Sequence, residues 1–318
     1  MASFALLLLL LLAISCLAVD QESSQRPQAL GNSTSTSLRL GYYGSSCPNA
    51  ETIVRQTLMT LLMQDPTAGA ALLRLAFHDC DVMFQSELES PKNFGIRRVD
   101  FIDRIKASLE GSCPRTVSCA DIIALAARDS ILLAGGPNIP VLTGRKDSTR
   151  ADLVTANRKL ATATSSVEEI LQDFASMGIN PQEAVSLLGA HTLGVGHCLS
   201  VVNRLYPSVD TKMDLMYSMA LRVLCPSPKF YLNITAIPND STMFRFDNMF
   251  FKDAALRRVL FALDAAVESD PRTSIYTSKF AQNQGLFFDT FSRAFVKLTS
   301  VVNSEATQVR SNCRAINS

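Results

Sequence analysis

The segment that most constrains the fold is residues 120–133, a strongly apolar stretch whose end is marked by Gly135, Gly136 and Pro137. Its length suits a helix, and glycine and proline are typical of the point at which a helix ends. A helix that is apolar on most sides must be buried, because its surface would otherwise be exposed to water all round. The sequence therefore predicts a central helix that other elements surround.

Apolar residues at helical spacing predict the elements around this centre. One helix begins at Asn180, a capping residue, which Pro181 and the acidic Glu183 follow in the first turn; it carries the chain into His191. No segment alternates as a strand would, and no linker divides the chain, so the prediction is a mostly α protein. The other predicted helices lie near residues 54–62, 67–78, 102–109, 167–174, 213–224 and 287–302.

The N-terminus has the pattern of a secretory signal peptide. Leucine fills residues 6–12, and the small residues Cys16 and Ala18 occupy the positions that a signal peptidase reads. The apolar run is too short to span a bilayer. We predict a signal peptide over residues 1–18, a disordered segment over residues 19–38 and one soluble domain over residues 39–318. A net charge of +1 gives no indication of nucleic acid or of an anionic membrane surface as a partner.

The cysteines indicate disulfide bonds with one thiol left over. The sequence has eight cysteines, and Cys16 leaves with the signal peptide. Cysteines of a secreted chain are normally paired, so an odd remainder means a thiol that is free or pairs with another molecule. The remaining cysteines are Cys47, Cys80, Cys113, Cys119, Cys198, Cys225 and Cys313. Asn32, Asn233 and Asn239 begin glycosylation sequons, which makes the chain a candidate glycoprotein.

Two of the three histidines lie in the most specific short segments of the chain. Arg74 and His78 are four residues apart on a predicted helix and share a face. A neutral histidine can act as a general base near pH 7, and a fixed guanidinium can stabilise charge on a leaving oxygen. The pair suits cleavage of an O–O bond. For an isolated Arg-x-x-x-His pattern, a surface arginine beside a structural histidine is the more common interpretation.

The second segment places His191 among the small residues Gly189, Ala190 and Gly194, where a flat cofactor could approach closely. Haem iron needs an axial ligand, and a neutral histidine that donates its other N–H to a carboxylate is the usual choice. A buried structural histidine is the competing interpretation. His197 is predicted to lie on a helix surface rather than to be a second ligand.

Several longer motifs, in one order, resemble the secreted plant peroxidases, the class III haem peroxidases. The resemblance implies a mostly α haem-peroxidase fold in which haem b is held between a distal and a proximal helical half. It implies a plant oxidoreductase that reduces hydrogen peroxide, oxidises small phenolic donors by one-electron steps and serves the response to oxidative stress. It implies a monomer, outside the cell or in the cell wall, with the vacuole as the alternative. The motifs are residues 73–80, 116–129, 144–147, 189–194, 246–248, 270–273 and 310–313.

The resemblance also implies individual roles. His78 would be the distal acid–base catalyst, Arg74 the distal charge stabiliser and His191 the proximal iron ligand. Asp264 would be the carboxylate partner of His191, in a segment that reads Leu-Asp-Ala where the family has Ser-Asp-Gln. Further residues implied around the haem are Phe77, which would form a wall at its edge, Phe174, and Asn93, which would hold His78.

Two structural calcium ions and three disulfides belong to the family pattern. The proximal calcium would use Thr192, Asp240, Thr242 and Asp247, with Asn239 as a rival to Asp240. The implied disulfides are Cys47–Cys113, Cys119–Cys313 and Cys198–Cys225, which leave Cys80 unpaired. After Cys80 the family's Gly-Cys-Asp-x-Ser loop is missing, so Asp79 and the carbonyl of Val82 are the remnant of the distal calcium site.

The missing loop leaves two functions open. The retained catalytic and iron-binding residues favour a working peroxidase. Loss of calcium ligands beside His78 favours a secreted glycoprotein with the peroxidase fold and weak or no turnover, because a displacement of about 1 Å can lower a rate on the order of 100-fold. A missed exon segment or a splice variant would also explain the gap. The physiological donor and the tissue are not indicated by the sequence.

Overall fold

The computed structural model describes residues 38–78, 95–149, 162, 164–226, 235–301 and 306–317, all within the compact unit Thr36–Ser318. These residues are mostly helical, as predicted. The helices are α1 (Ala50–Gln64), α2 (Ala68–Phe77), α3 (Val99–Ser112), α4 (Cys119–Leu133), α5 (Val167–Ser176), α6 (Pro181–Leu188), α7 (Cys198–Leu205), α8 (Leu215–Leu224), α9 (Met249–Ala255), α10 (Ala262–Ser269), α11 (Ser274–Gln282) and α12 (Gln284–Thr299). The strands are β1 (Asp147–Ser148), β2 (Val195–His197), β3 (Ala236–Pro238) and β4 (Ala306–Gln308).

Helix α4 is the buried centre that the sequence predicts, and α1, α2 and α3 pack against it. Its N-cap, Ser118, accepts a hydrogen bond at Oγ from the amide of Asp121 at 3.2 Å. The charged residues of α4 are buried but paired: Asp121 accepts from the Tyr43 hydroxyl at 2.6 Å and from Arg145 Nη1 at 2.7 Å. These pairings offset the desolvation cost of burying charged side chains in the centre of the protein.

Two large apolar clusters fill the interior. One lies among α1–α4 and contains Leu58, Leu72 and Ile105. The other contains phenylalanines from α9, α11 and α12, which pack with aliphatic residues of α6. Helix α2 carries Arg74, while the second cluster supports the segment around His191. Helix α2 also contributes to the second cluster, through Leu73 and the partly buried Phe77, so the two candidate segments share one packed region.

The three disulfides implied by the family resemblance are confirmed. Cys47–Cys113, Cys119–Cys313 and Cys198–Cys225 join Cα atoms 5.8, 5.6 and 5.6 Å apart. The second of them fastens the start of α4 to the C-terminal segment across 194 residues. Cys80 lies outside the described residues.

Helix α6 begins as predicted and leads into His191. Asn180 Oδ1 accepts from the amide of Glu183, and Glu183 Oε2 accepts from the amide of Asn180, both at 3.0 Å, which forms a capping box. The α-helix ends at Leu188, and a 3₁₀ turn, Gly189–Thr192, follows it directly. A Cβ at Gly189 would lie 2.5 Å from the Phe287 ring, so glycine is needed for the close approach of this ring. The helix therefore carries the chain into His191 as predicted, with its last turn in 3₁₀ form.

Helices α7, α9, α10 and α11 were not predicted. Each has seven to nine residues, too few to display a full apolar stripe. The strands were also missed, since they have two or three residues each and pair as β1 with β4 and β2 with β3, both antiparallel. Among the described residues no helix is both long and apolar enough to cross a membrane.

Candidate active site

The 3₁₀ turn presents His191 to Asp264, which lies in the first turn of α10. The His191 Nδ1 atom is 3.0 Å from Asp264 Oδ1. A carboxylate oxygen is a hydrogen-bond acceptor, so Nδ1 is the donor in this contact and Nε2 is the ring nitrogen left for another partner. The Asp264 side chain is 2% exposed, whereas that of His191 is 33% exposed. The pair therefore combines a buried anchor with a ring that faces open space.

Two aromatic side chains also pack against the His191 ring. The ring centroids of Phe261 and Phe250 lie 5.0 and 5.8 Å from that of His191, both in edge-to-face geometry. Edge-to-face packing fixes the ring plane without using the nitrogen atoms. The residue types and contacts thus leave Nε2 as the ring nitrogen that can bind a metal.

Arg74 lies in the last turn of α2, and His78 caps the helix. The amide of His78 donates to the carbonyls of Arg74 and Leu75, both at 3.1 Å. The helix ends at Phe77, one residue earlier than predicted, but the four-residue spacing still brings Arg74 and His78 to one side. By its solvent-accessible surface Arg74 is exposed, yet enough protein surrounds its guanidinium that desolvation lowers the pKa of this group. This combination is typical of a side chain that projects into a cleft lined by protein.

Gly95 approaches the Arg74 guanidinium and was not predicted as a site residue. A Cβ at Gly95 would lie 3.3 Å from Arg74 Nη1, and the glycine has φ +82°, in the left-handed region. The backbone at Gly95 therefore forms one wall of the Arg74 site. A glycine in the Asn-Phe-Gly segment indicates a turn, but the sequence alone does not indicate that this turn contacts Arg74.

Gly194 joins the two regions of the site. It has φ +91°, and a Cβ placed there would lie 2.6 Å from Cβ of Ala70. Ala70 is one turn before Arg74 on α2, and Gly194 follows His191 by three residues. Glycine at this position lets the arginine-bearing helix pack directly against the segment that carries His191.

Gly194→Ala is expected to destabilise the fold by about 1–3 kcal/mol more than Gly135→Ala, since the added methyl group must displace α2. Gly135 is the matched control because its φ of +92° imposes the same backbone strain, while its Cβ would meet nothing within 4 Å. Chemical denaturation of the two variants measures the difference. Equal losses of stability would contradict the direct packing of α2 on Gly194.

Oxygen atoms converge beside the 3₁₀ turn. The Thr192 hydroxyl donates to Asp240 Oδ2 at 2.6 Å, and the Thr242 hydroxyl donates to Asp247 Oδ1 at 3.0 Å. The carbonyl of Arg245, which the sequence did not indicate, lies 3.4 Å from Thr192 Oγ1. All four residues predicted for the proximal calcium site are thus brought together. The described residues contain no group of three or more His, Cys, Asp or Glu that could hold a metal, and the cluster combines two carboxylates with hydroxyl and carbonyl oxygens.

Asp240 and Asn239 are the unusual members of this cluster. Burial raises the pKa of Asp240 to about 6, and the neighbouring Asp247 carboxylate adds to the rise. Asn239 is 8% exposed, its Nδ2 donates to the carbonyl of Leu193 at 3.2 Å, and its buried Oδ1 has no hydrogen-bond partner. A buried amide that already donates is a poor glycan acceptor, so the Asn239 sequon is not available in the folded chain.

The remaining predicted residues divide into three groups. Phe77 and Phe174 are half-buried and pack against the phenylalanine-rich cluster, and the Phe77 ring centroid is 6.3 Å from that of Phe295. His197 lies at the end of β2, not on a helix surface as predicted, with Nδ1 3.2 Å from the carbonyl of Thr235. The last group lies outside the described residues: Asp79, Val82, Asn93, Asn32 and Asn233.

Comparisons with known proteins agree with this geometry. Residues 54–283 match the family model described as peroxidase, a range that contains both histidine segments and Asp264. The chain is 40% identical to Peroxidase 29 of Arabidopsis thaliana, over 96% of this chain and 94% of that protein. It is 39% identical to Peroxidase 57 and 36% identical to Peroxidase 21 of the same plant, in each case over 88% of this chain, and over 93% and 91% of those proteins.

Proposed function

The chain belongs to the peroxidase family and is a peroxidase enzyme, and from this premise we propose that His191 binds the haem iron at which hydrogen peroxide is reduced while phenolic donors are oxidised. The observation that carries this proposal is the His191–Asp264 pair. A buried carboxylate that fixes Nδ1–H leaves Nε2 directed at a ligand, the arrangement that an iron-binding histidine requires. The aromatic residues around the ring are compatible with a large flat cofactor.

The bound haem supplies an iron that can be oxidised by peroxide and reduced again by donors. His78 would move a proton from one oxygen of the peroxide to the other, which prepares the second oxygen to leave as water. Arg74 stabilises the negative charge that develops on the leaving oxygen. Gly95 supports Arg74 in this role, because its backbone packs at the guanidinium without a side chain to displace it.

Asp264 controls the basicity of His191. By accepting a hydrogen bond from Nδ1–H it would raise the basicity of the imidazole toward a bound iron. Its surroundings strengthen the interaction, since a side chain that is 2% exposed experiences little screening by water. Phe77, Phe174 and Asn93 remain assigned to the haem pocket on the family pattern alone.

The oxygen cluster beside His191 fits a proximal Ca²⁺ ion. Calcium prefers six to eight oxygen ligands, and the cluster offers carboxylate, hydroxyl and carbonyl oxygens with two buried carboxylates to balance the charge. The unpartnered Oδ1 of Asn239 adds a neutral oxygen donor next to Asp240. We therefore assign Thr192, Asp240, Thr242 and Asp247 to the ion, with the Arg245 carbonyl and Asn239 as additional ligands. Asp79 and Val82 remain proposed as the remnant of a distal site.

Removal of calcium is expected to lower the unfolding temperature, and to lower it more near pH 7 than near pH 4.5. The pKa of Asp240 is about 6 when folded, above its ordinary value of 3.8. Between these values only the folded chain holds the proton, so its stability without calcium falls as the pH rises through that range. A cation that binds the ionised carboxylate offsets this loss. Thermal unfolding with calcium and with chelator, at both pH values, measures the effect.

Asp240→Asn is expected to weaken calcium binding and to remove this pH dependence, because the amide does not titrate. Asp289→Asn is the matched control, since Asp289 is exposed on α12. The calcium assignment is wrong if chelation leaves the unfolding temperature of the unmodified protein unchanged near pH 7.

We propose that residues 39–318 form a single peroxidase domain, in a protein delivered outside the cell or to the cell wall. The vacuole is the alternative destination. The predicted signal peptide of residues 1–18 and nearly all of the segment of residues 19–38 lie outside the described residues. The catalytic set comes from one chain, so a monomer suffices for activity. Asn32 and Asn233 remain the candidate glycan acceptors.

The decisive experiment is a peroxide titration of the purified, haem-loaded protein, followed in the Soret region, with a phenol added afterwards. Rapid spectral change and its reversal by the phenol are expected. Protein with full haem content that shows no spectral change would overturn the proposed turnover and would favour the non-catalytic glycoprotein instead.

A further inference from the structure

Arg204, in the last turn of α7, carries a buried charge that the proposed reaction does not use. Its side chain is 4% exposed. Nη1 donates to the carbonyls of Val259, Leu260 and Phe261, at 2.5, 3.0 and 3.2 Å. These three residues end the segment that joins α9 to α10, residues 256–261, which we call the α9–α10 link. Carbonyls that water does not reach need a hydrogen-bond partner in the protein, and here one guanidinium binds three in succession.

Two side chains that contact His191 depend on the position of the α9–α10 link. Phe261 is its last residue, and the ring centroid of Phe261 lies 5.0 Å from that of His191. Phe261 is also the N-cap of α10, and its carbonyl accepts from the amide of Ala265 at 3.3 Å. Asp264 lies in that first turn, with Oδ1 3.0 Å from Nδ1 of His191. A displacement of the link would therefore move both the Phe261 ring and the Asp264 carboxylate relative to His191.

Asp210 sets the orientation of the Arg204 guanidinium. Its Oδ2 accepts from Arg204 Nε at 2.9 Å, and its amide donates to the carbonyl of Arg204 at 2.8 Å. The carboxylate compensates the buried positive charge. Because a guanidinium is planar and rigid, fixing Nε also fixes the direction of Nη1. Arg204 therefore presents its donors to the α9–α10 link in a defined direction.

The α9–α10 link also packs closely against β2, the strand that follows the His191 turn. A Cβ at Gly196, in β2, would lie 2.9 Å from Leu260 Cδ1 and 3.3 Å from the Phe261 ring. The side chains of the link thus contact the strand, while its carbonyls bind Arg204. Of these two sets of contacts, the hydrogen bonds of Arg204 are the directional ones.

We propose that Arg204 is a positioning residue for the His191–Asp264 pair: its hydrogen bonds hold the α9–α10 link where Asp264 accepts from Nδ1–H of His191. The inference rests on the proposed function, in which His191 binds the haem iron. A hydrogen bond weakens steeply as its geometry departs from the optimum. A small shift of the link would therefore lower the basicity that Asp264 confers on the imidazole. Arg204 thus acts on the proposed iron ligand through the backbone of the link.

Resonance Raman spectroscopy of the haem-loaded protein with ferrous iron tests the proposal, because it measures the stretching frequency of the bond between iron and His191. This frequency falls when the hydrogen bond from Nδ1–H weakens, since a less basic imidazole binds iron less strongly. Arg204→Lys keeps the charge but replaces the planar fork of donors with a single ammonium. It is expected to lower the frequency, in the same direction as Asp264→Asn and by a smaller amount. Arg204→Lys combined with Asp264→Asn should shift no further than Asp264→Asn alone, because both act on one hydrogen bond.

Asp210→Asn is a second variant, chosen because the Asp210 side chain is 26% exposed and an amide is nearly the same size. It leaves Arg204 in place but removes the charge that orients the guanidinium. The frequency is expected to fall in this variant as well, by less than in Arg204→Lys. This variant keeps the test decisive where Arg204→Lys fails to fold.

Arg145→Lys is the matched control, since Arg145 is another buried arginine with one carboxylate partner and backbone carbonyls as the others. These partners are Asp121, Leu142 and Thr299. Loss of its contacts is expected to lower the unfolding temperature while leaving the iron–histidine frequency unchanged. The control therefore separates a general loss of stability from an effect on the iron ligand.

An unchanged frequency in the haem-loaded Arg204→Lys and Asp210→Asn variants would overturn the proposal. An equal shift in Arg145→Lys, or additive shifts when Arg204→Lys is combined with Asp264→Asn, would overturn it too. In these cases the unmodified protein still shows its iron–histidine band, so the proposed function stands. Unmodified protein whose ferrous haem shows no such band would refute the proposed iron ligand, and this inference with it.

Discussion

Replacing His78 with alanine is expected to slow the reaction of the haem-loaded protein with hydrogen peroxide by about 100- to 10,000-fold. A positioned general base contributes a factor of this size, and proton transfer between the two peroxide oxygens has no other histidine on the α2 side of the site. The structure places His78 at the end of α2, where its amide is hydrogen-bonded to the helix and its side chain follows Arg74 by one turn. Stopped-flow absorbance in the Soret region measures the rate constant.

His197→Ala is the control for this variant because it removes the other non-ligand histidine. His197 is hydrogen-bonded to the carbonyl of Thr235 and lies at the end of β2. It is expected to leave the rate constant within about twofold of the unmodified protein. An equal decrease in both variants, or no decrease in His78→Ala, would show that His78 is not the acid–base group.

Features governed by local pattern could be predicted from the sequence. The apolar run that became α4 and the Asn-Pro-x-Glu start of α6 each contain the information within a few residues. The disulfides and the His191–Asp264 pair were implied by the family resemblance rather than by spacing, since partners 73 or 194 residues apart are not connected by any local rule.

Features that depend on tertiary packing could not be predicted. The sequon at Asn239 suggests a surface glycan, yet the fold buries this residue beside Leu193. The contacts of Gly194 with α2 and of Gly95 with Arg74 depend on segments far apart in the chain. Main-chain oxygens, such as the Arg245 carbonyl, carry no side-chain signal at all. Each of these contacts joins residues that are distant in sequence, so the local sequence does not indicate it.

The two sides of the site are expected to respond differently to substitution. On the His191 side, the proposed iron ligand is paired with its carboxylate partner and lies beside the oxygen cluster. On the His78 side, the proposed acid–base group and Arg74 lie at the end of α2, with the Gly95 backbone against the guanidinium. Substitutions on the His191 side should affect haem retention, and substitutions on the His78 side should affect the rate with peroxide.

His191→Ala is accordingly expected to lose most of its haem, because the iron would lose its axial ligand while Asp264 would keep a buried charge without its partner. The edge-to-face packing of Phe261 and Phe250 against the ring would also be lost. The ratio of Soret to protein absorbance, measured after removal of unbound haem, gives the fraction retained. Free imidazole is expected to restore part of it, since the vacated space has the size of the ring and retains the Asp264 acceptor.

Asp264→Asn separates ligand loss from partner loss. The ring of His191 remains available to iron, so we expect a smaller loss of haem than in His191→Ala. The affinity for haem should fall by about 10- to 100-fold, as is typical when the hydrogen-bond partner of a metal ligand is changed. Imidazole should not improve retention in this variant, because the ligand position is filled. Haem retention in His191→Ala equal to that of the unmodified protein, without imidazole, would rule out His191 as the iron ligand and would direct attention to a different residue for that role.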